Sequence, residues 1–489
     1  MQNYYGFIIP RLDGSDIKKN FSKYLSLVRK GVAGFIVFGG KLEQVRSCIQ
    51  ALQDEAELPL IIASDLERGL GQQLEGGTNL PPAMALANAT RKRRKAGGEM
   101  FGRNGDPPVN LPLLRKTFSA LAREARYAGI NTILAPVLDI NTNPRNPIIC
   151  TRSFGEDSGT VSFFGDQMIN TLQGRGIAAC GKHFPGHGDT AVDSHVKLPV
   201  INRGLPELKR NELRPFNRAV ECGVKMIMLG HLCVPALDPS GVPVSISEKA
   251  VGYIRRNMKY KGILITDAMN MGGLGRYSEQ EACFAALHAG VDILLHPSDP
   301  GKIVSWLKKK NVSFAADRLE DFRRQLDRTP PASLPDFGKN RQLSELLTRR
   351  AIRSAGSVDV KGRPFLIILN DEDDEKGSFF SRRFRLHLPR TESKILTRQG
   401  EARDITIPGG AGVIVAVFSE TRAWKGGASD WLYRQINYLE DRADLFVSFG
   451  SPYLFDRIRD TAKIFAYWDS ASAQNAAADL IAKRYLSSG

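Results

Sequence analysis

Short apolar runs alternate with helical patterns through residues 1–300. The first run is Gly6-Phe7-Ile8-Ile9. Ile17, Phe21, Leu25 and Val28 then recur at helical spacing, and Gly31 follows as a C-cap. The second run, Gly34 to Phe38, precedes Leu42, Val45, Ile49 and Leu52, which mark another amphipathic helix. Six more runs follow: Leu60 to Ala63, Thr132 to Pro136, Ile177 to Cys180, Lys225 to Leu229, Gly262 to Thr266 and Val291 to Leu295. Continuous apolar strands separated by helices predict a parallel sheet buried on both faces. Eight such units predict a (β/α)8 TIM-type barrel, with a doubly wound open sheet as the competing architecture.

The pattern breaks at Pro330-Pro331 and Pro335, so residues 329–339 read as a linker. A helix is expected over about 342–355. Apolar runs at 365–369, 412–418, 445–449 and 464–467, with a helical stretch from Trp431 to Leu439, then describe a smaller α/β sandwich domain. The expected organisation is a barrel domain over 1–335 and a C-terminal α/β domain over 336–489. Asp371 to Glu375 reads as an acidic loop.

Composition narrows the class. Hydrophobic residues make up 42% and charged residues 25%, which excludes disorder, collagen-like repeats and coiled coil. No apolar run approaches the ~18 residues of a membrane span. The net charge of +16 has one dense focus, Arg91 to Lys95. Such a run is either a solvated face or an anion-binding element. No nucleic-acid module accompanies it, so no nucleic-acid partner is expected. The six cysteines form no C-x-x-C pair and sit mostly in apolar segments, as buried free thiols do. The N-terminus lacks a basic region followed by an apolar stretch, which predicts a cytoplasmic location. The pattern fixes no oligomeric state.

The polar positions carry the chemistry. Asp65, Lys182-His183, His231, Asp267 and His296 each stand just after a predicted strand. In a barrel those ends converge on the catalytic face. The densest cluster, residues 182–195, holds three of the seven histidines. Pro185, Gly186 and Gly188 make it a loop. At its end Asp193-Ser194-His195 allows a carboxylate to fix the imidazole tautomer and raise its basicity, giving a proton shuttle near neutral pH. A surface Asp-His pair and a metal site built from His183, His187, Asp189, Asp193 and His195 are the competing readings. Asp267 is a nucleophile, base or ligand, or else the N-cap of the next helix. Asp65 reads the same way. Arg152 lies in an Asn- and Arg-rich segment suited to a hydroxylated or anionic ligand.

Together these stretches resemble glycoside hydrolase family 3, in its bacterial β-N-acetylglucosaminidase subgroup. The matching segments are Gly34 to Gly40, Ser64 to Gly69, Leu80 to Leu86, Ala135 to Asn141, Arg152 to Asp157, the whole of 182–195, and Thr266-Asp267. The Asp-Ser-His ending is the specific signature. Gly450-Ser451-Pro452-Tyr453 resembles the C-terminal domain of two-domain members.

The resemblance implies retaining, exo-acting hydrolysis of terminal β-linked N-acetylglucosamine. The substrate would be a small glycoside or a cell-wall muropeptide, with no metal or organic cofactor. It places the nucleophile on Asp267 and the acid/base on His195, oriented by Asp193. Sugar-hydroxyl contacts fall on Asp65, Arg152, Lys182 and His183. Asp65 to Leu70 departs from the D-x-E-G-G-R of many relatives, lacking the second glycine and the arginine. Arg91 to Pro112 is an atypical basic insertion. Alternatives are a β-glucosidase or phosphorylase of the same family, and a non-catalytic sugar-binding protein.

Overall fold

The computed structural model describes residues 2–91, 108–190, 197–328, 333–358, 360–372, 375–420, 426–458 and 460–488. The basic run 92–95, most of the atypical insertion, the Asp193-Ser194-His195 triplet and the Pro330-Pro331 break therefore lie outside the described residues. Two compact units are present. The first comprises Met1–Leu80, Arg94–Asn143 and Ser153–Arg341, and the second Pro81–Arg93, Pro144–Arg152 and Gln342–Gly489.

The first unit is built on parallel strands. They are β1 (Ile8–Ile9), β2 (Arg11–Asp13), β3 (Gly34–Phe38), β4 (Ile61–Ser64), β5 (Thr132–Ile133), β6 (Ala178–Phe184), β7 (Met226–Leu229), β8 (Ile263–Thr266) and β9 (Leu294–Leu295). Strands β2 to β8 are neighbours in sequence order. β1 and β2 are one passage of chain interrupted at Pro10, whose nitrogen has no proton to donate. Its carbonyl still accepts from the Ile36 N–H at 3.0 Å.

The ring closes on the far side of that passage. β1 pairs with β9 in parallel, Ile8 beside Leu294 and Ile9 beside Leu295, and Ile265 of β8 bridges Ile293. All eight predicted runs are thus strands of one closed barrel, followed by a smaller α/β domain. The strand residues are buried at nearly every position because the barrel packing covers one face and the outer helices the other. Helices Ile17–Arg29, Leu42–Glu55, Leu111–Tyr127, Ser158–Gln173, Leu213–Glu221 and Glu279–Ala289 are among those in the intervals. One expectation needs correction. The apolar run stops at Cys180, but β6 continues through Lys182 and His183 to Phe184, whose carbonyl accepts from the Gly230 N–H at 3.0 Å. Extended backbone persists there under polar side chains.

The second unit has a six-stranded sheet: β10 (Arg353–Ala355), β11 (Arg363–Asn370), β12 (Glu392–Leu396), β13 (Ala411–Ser419), β14 (Leu445–Gly450) and β15 (Ala462–Phe465). The order is β10-β15-β14-β13-β11-β12, parallel except for β10. Alternation along β11 feeds two cores. Leu366 and Ile368 pack with Phe380, Phe384 and Ile481 of helices Ser378–His387 and Ala471–Ser488. Phe365, Ile367 and Leu369 pack with Leu432, Ile436 and Leu439 of helix Asp430–Leu439.

Here the structure corrects one sequence reading. The helix expected over 342–355 spans Phe337–Ala351 and is followed by edge strand β10, so it begins within the segment read as linker. Asp371 opens the acidic loop. It is fully buried and accepts from the Ser429 N–H and the Ser419 hydroxyl, each at 3.1 Å, and also from the Ser429 hydroxyl.

Candidate active site

Parallel strands bring all their carboxyl ends to one rim of the barrel. On that rim lie Asp65 after β4, Asp139 beyond β5, Lys182 and His183 at the end of β6, His231 after β7, Asp267 after β8 and His296 after β9.

Lys182 organises one side. Its ammonium lies 2.6 Å from Asp65 Oδ1 and 2.7 Å from Glu67 Oε1, and its side chain is only 2% exposed. A lysine is buried this deeply only when its charge is answered. Asp65 keeps 27% of its side-chain surface accessible, Glu67 only 9%. Asp65 is therefore the carboxylate of the pair better placed to meet a ligand.

Next to Lys182, His183 is held from below. Asp139 is fully buried, and its Oδ2 is 2.7 Å from His183 Nδ1. Its Oδ1 accepts the backbone N–H of His187 at 2.7 Å and of His183 at 3.2 Å. Burial pushes the Asp139 carboxyl up, but the His183 ring, its hydrogen bond and His187 outweigh that and hold it below its ordinary value. An ionised carboxylate only accepts, so His183 Nδ1 carries a proton. Gly188 seats this loop: a Cβ there would fall 1.7 Å from the Ile140 carbonyl oxygen.

His187 behaves differently. Burial pushes its pKa down to about 4, with His183 adding to the shift and Asp139 opposing it. It is a neutral ring at physiological pH, with Nδ1 2.9 Å from the Thr190 hydroxyl. Beyond it, Asp189 takes a two-pronged contact from Arg203, at 2.9 and 2.8 Å. Arg203 also reaches the buried Glu212 at 3.1 Å.

On the β8 side, Asp267 is half-buried, and its Oδ1 accepts the Ala268 N–H at 2.8 Å. The Cys180 thiol of β6 lies among these charges. Burial is the main cause pushing it up to about 12, and the charges of Lys182, Asp65 and Asp267 all act on it. Asp65 follows β4, Lys182 lies in β6 and Asp267 follows β8, so three residues distant in sequence meet the same rim.

The structure thus brings Asp65, Lys182, His183 and Asp267 to one rim. Arg152 clusters with the second unit, where its Nη1 donates to the Ile148 carbonyl at 3.0 Å. Asp193 and His195 lie outside the described residues. Sequence reasoning missed two supporting carboxylates, Glu67 and Asp139. Their signals were present: the Asp-x-Glu spacing from Asp65, and a lone acid inside the apolar stretch Val137-Leu138-Asp139-Ile140. Among the described residues no three His, Cys, Asp or Glu side chains gather as a metal site.

A closed parallel barrel with acids, a lysine and histidines on its carboxyl rim defines an enzyme of the α/β-barrel class. Comparison with known proteins narrows this. Residues 11–326 match the glycosyl hydrolase family 3 N-terminal domain. The chain belongs to glycosyl hydrolase family 3. It is 30% identical over 335 residues to a beta-hexosaminidase of Nitrosomonas eutropha, covering 65% of this chain and 89% of that one. It is 32% identical over 292 residues to beta-hexosaminidase A of Pseudoalteromonas piscicida, covering 55% of this chain but only 46% of that longer relative. Two solved structures share the fold over both units. A family 3 beta-N-acetylglucosaminidase from Paenibacillus sp. str. FPU-7 superposes with TM-score 0.79 at 24% identity, covering 99% and 96% of the two chains. A beta-glucoside phosphorylase superposes with TM-score 0.77 at 19% identity, covering 99% and 92%. The chain is a glycoside hydrolase by this membership. No helix among the described residues is long and apolar enough to cross a membrane.

Proposed function

We propose that the chain is a retaining exo-β-N-acetylglucosaminidase that removes terminal β-linked N-acetylglucosamine from small glycosides or muropeptides in the cytoplasm. The observation that carries this reading is the placement of Asp65, Lys182 and Asp267 at the carboxyl ends of β4, β6 and β8, with the Lys182 ammonium 2.6 Å from Asp65. The beta-hexosaminidase names of its relatives support the N-acetyl sugar. We assign the chemistry to the barrel domain, 1–335, with 336–489 as a separate module.

In this scheme the Asp267 carboxylate attacks the anomeric carbon as the glycosidic bond breaks. His195, oriented by Asp193, gives its proton to the departing oxygen. The resulting glycosyl ester on Asp267 is then attacked by water, which loses a proton to His195, and the free sugar leaves with retained configuration. Retaining enzymes usually pair two carboxyl groups; here an imidazole replaces one. Asp65, Lys182 and His183 would bind sugar hydroxyls. No metal or organic cofactor enters.

The test is nitrophenol release from the β-N-acetylglucosaminide and the β-glucoside by wild type, Asp267→Ala and His195→Ala, with and without phosphate. Strong N-acetyl preference and loss of activity in Asp267→Ala are expected. His195→Ala should lose about 10²–10⁴-fold on poor leaving groups and less on activated ones. Better glucoside turnover would overturn the substrate. Phosphate-dependent turnover would make the enzyme a phosphorylase, and silence on both sugars would favour a binding protein.

A further inference from the structure

His231 is fully buried just beyond β7, and both ring nitrogens are engaged. Nε2 lies 3.0 Å from the Ala268 carbonyl oxygen, and Nδ1 lies 2.7 Å from the Ser245 hydroxyl. A carbonyl oxygen only accepts, so Nε2 carries a proton, and Nδ1 is paired with the Ser245 hydroxyl. Ser245 is itself fully buried in the turn Val244–Ile246.

The acceptor of that Nε2 proton sits next to Asp267. The peptide joining Ala268 to Met269 is held at both ends: His231 takes its oxygen, and its N–H donates to the Leu295 carbonyl at 2.8 Å. The preceding N–H, of Ala268, points to Asp267 Oδ1 at 2.8 Å. The Asp267 N–H is anchored on Leu229 at 2.9 Å. With these groups pinned, the Ala268 N–H has one direction, and it offers Asp267 Oδ1 a fixed donor. A polar side chain spent on a backbone carbonyl beside a reacting group is how a site is held within the few tenths of an ångström that attack demands.

We propose that His231, keyed by Ser245, is a positioning residue for the Asp267 nucleophile. This rests on the nucleophile role proposed above and extends it to two residues that touch no substrate. The chain Ser245–His231–Ala268 orients the attacking carboxylate and takes no part in proton transfer to the aglycone.

The experiment compares His231→Phe, which keeps a ring but no donor, with His231→Gln, which keeps an N–H donor, after circular dichroism and urea unfolding confirm folded protein. In His231→Phe, kcat should fall on the order of 10²-fold with KM unchanged. The loss should be the same for activated and poor leaving groups, unlike that of His195→Ala. His231→Gln should recover much of it. Azide then supplies an external nucleophile to Asp267→Ala and to Asp267→Ala/His231→Phe. Equal azide-rescued rates in the two backgrounds support the inference, because His231 acts only through the missing carboxylate. A persisting gap between them, or an unchanged kcat in His231→Phe, overturns it. Absence of azide rescue in Asp267→Ala overturns the nucleophile assignment, and this inference with it. Should His231→Phe not fold, Ser245→Ala carries the same cycle, with an expected loss of about tenfold.

Discussion

The Asp139 carboxylate meets His183 Nδ1 at 2.7 Å in a place solvent hardly reaches, with the acid fully buried and the imidazole 8% exposed. The contact orients a candidate sugar-binding ring. It also makes Asp139 a conditional part of the fold. A carboxyl whose pKa is depressed on folding adds stability above its unfolded value, and that stability is lost as pH falls through the folded value. Asp139 is such a group. Asp139→Asn should cost about 3 kcal/mol at pH 7, because an amide cannot accept from the ring and both N–H groups as well. The wild-type advantage should shrink below pH ~4, where the unfolded carboxyl begins to hold its proton. Urea unfolding of both proteins at pH 7 and pH 3 checks this; a gap that stayed constant would assign the cost to packing.

His187 predicts a separate acid limb. Its folded pKa is about 4, while the unfolded ring titrates near 6.5. Between those values the unfolded chain binds a proton that the folded chain refuses, so stability falls as pH drops from ~6.5 to ~4 and levels off below. His187→Gln should flatten that limb in thermal melts taken at half-unit pH steps. An unchanged slope would mean that other groups set it.

Lys182 serves two carboxylates, so its partners are not equivalent to it. Lys182→Met strands Asp65 and Glu67 against each other and should cost about 3 kcal/mol. Asp65→Asn leaves Glu67 on the ammonium, so the fold should tolerate it. Its effect should fall on sugar recognition, as a KM raised about tenfold or more. Chemical denaturation and steady-state kinetics separate the two variants. A large stability loss in Asp65→Asn would contradict the division of labour.

The C-terminal domain has its own buried acid. Asp371→Ala would leave the Ser429 N–H and two hydroxyls without their acceptor. A loss of about 3 kcal/mol is expected on that ground. Ser429 still caps helix Asp430–Leu439 through the Leu432 N–H at 3.2 Å, so the helix itself should survive. Far-ultraviolet circular dichroism during urea unfolding would show a lower midpoint with unchanged native signal.

The barrel was legible because its strands announce themselves: a run such as Leu60 to Ala63 has no polar position to confuse it with a surface helix. What failed to show was extended backbone under polar side chains. Lys182 and His183 continue β6 because the ladder, not hydropathy, decides there. Edge strands β10 and β12 were missed for a related reason. They cover the sheet margins, with none of their residues fully buried, and carry little apolar signal. In the site, Asp65, Lys182, His183 and Asp267 could be placed on one rim from position alone. Glu67 and Asp139 left a local mark, but the partners they and His231 meet did not, since a supporting contact depends on side-chain reach across strands, which spacing in sequence does not encode. The grouping of Pro81–Arg93 and Pro144–Arg152 with the C-terminal unit also leaves no mark on the pattern. There, Asn88 donates to the Tyr467 hydroxyl at 2.9 Å across a separation that no window reads.

The two-residue seam between β1 and β9 has a consequence for synthesis. Ile8–Ile9 and Leu294–Leu295 are the two ends of the barrel's strand order. During translation every other parallel pairing can form as soon as its second strand has left the ribosome. This one waits for nearly the whole barrel. Until then the nascent chain carries an open margin at Ile8–Ile9, made of apolar residues with unspent hydrogen-bonding groups, the kind of edge that recruits other chains. The last strand of the barrel therefore acts as its latch. A stall or truncation shortly before Leu294 would release a polypeptide with most of its secondary structure and an adhesive rim.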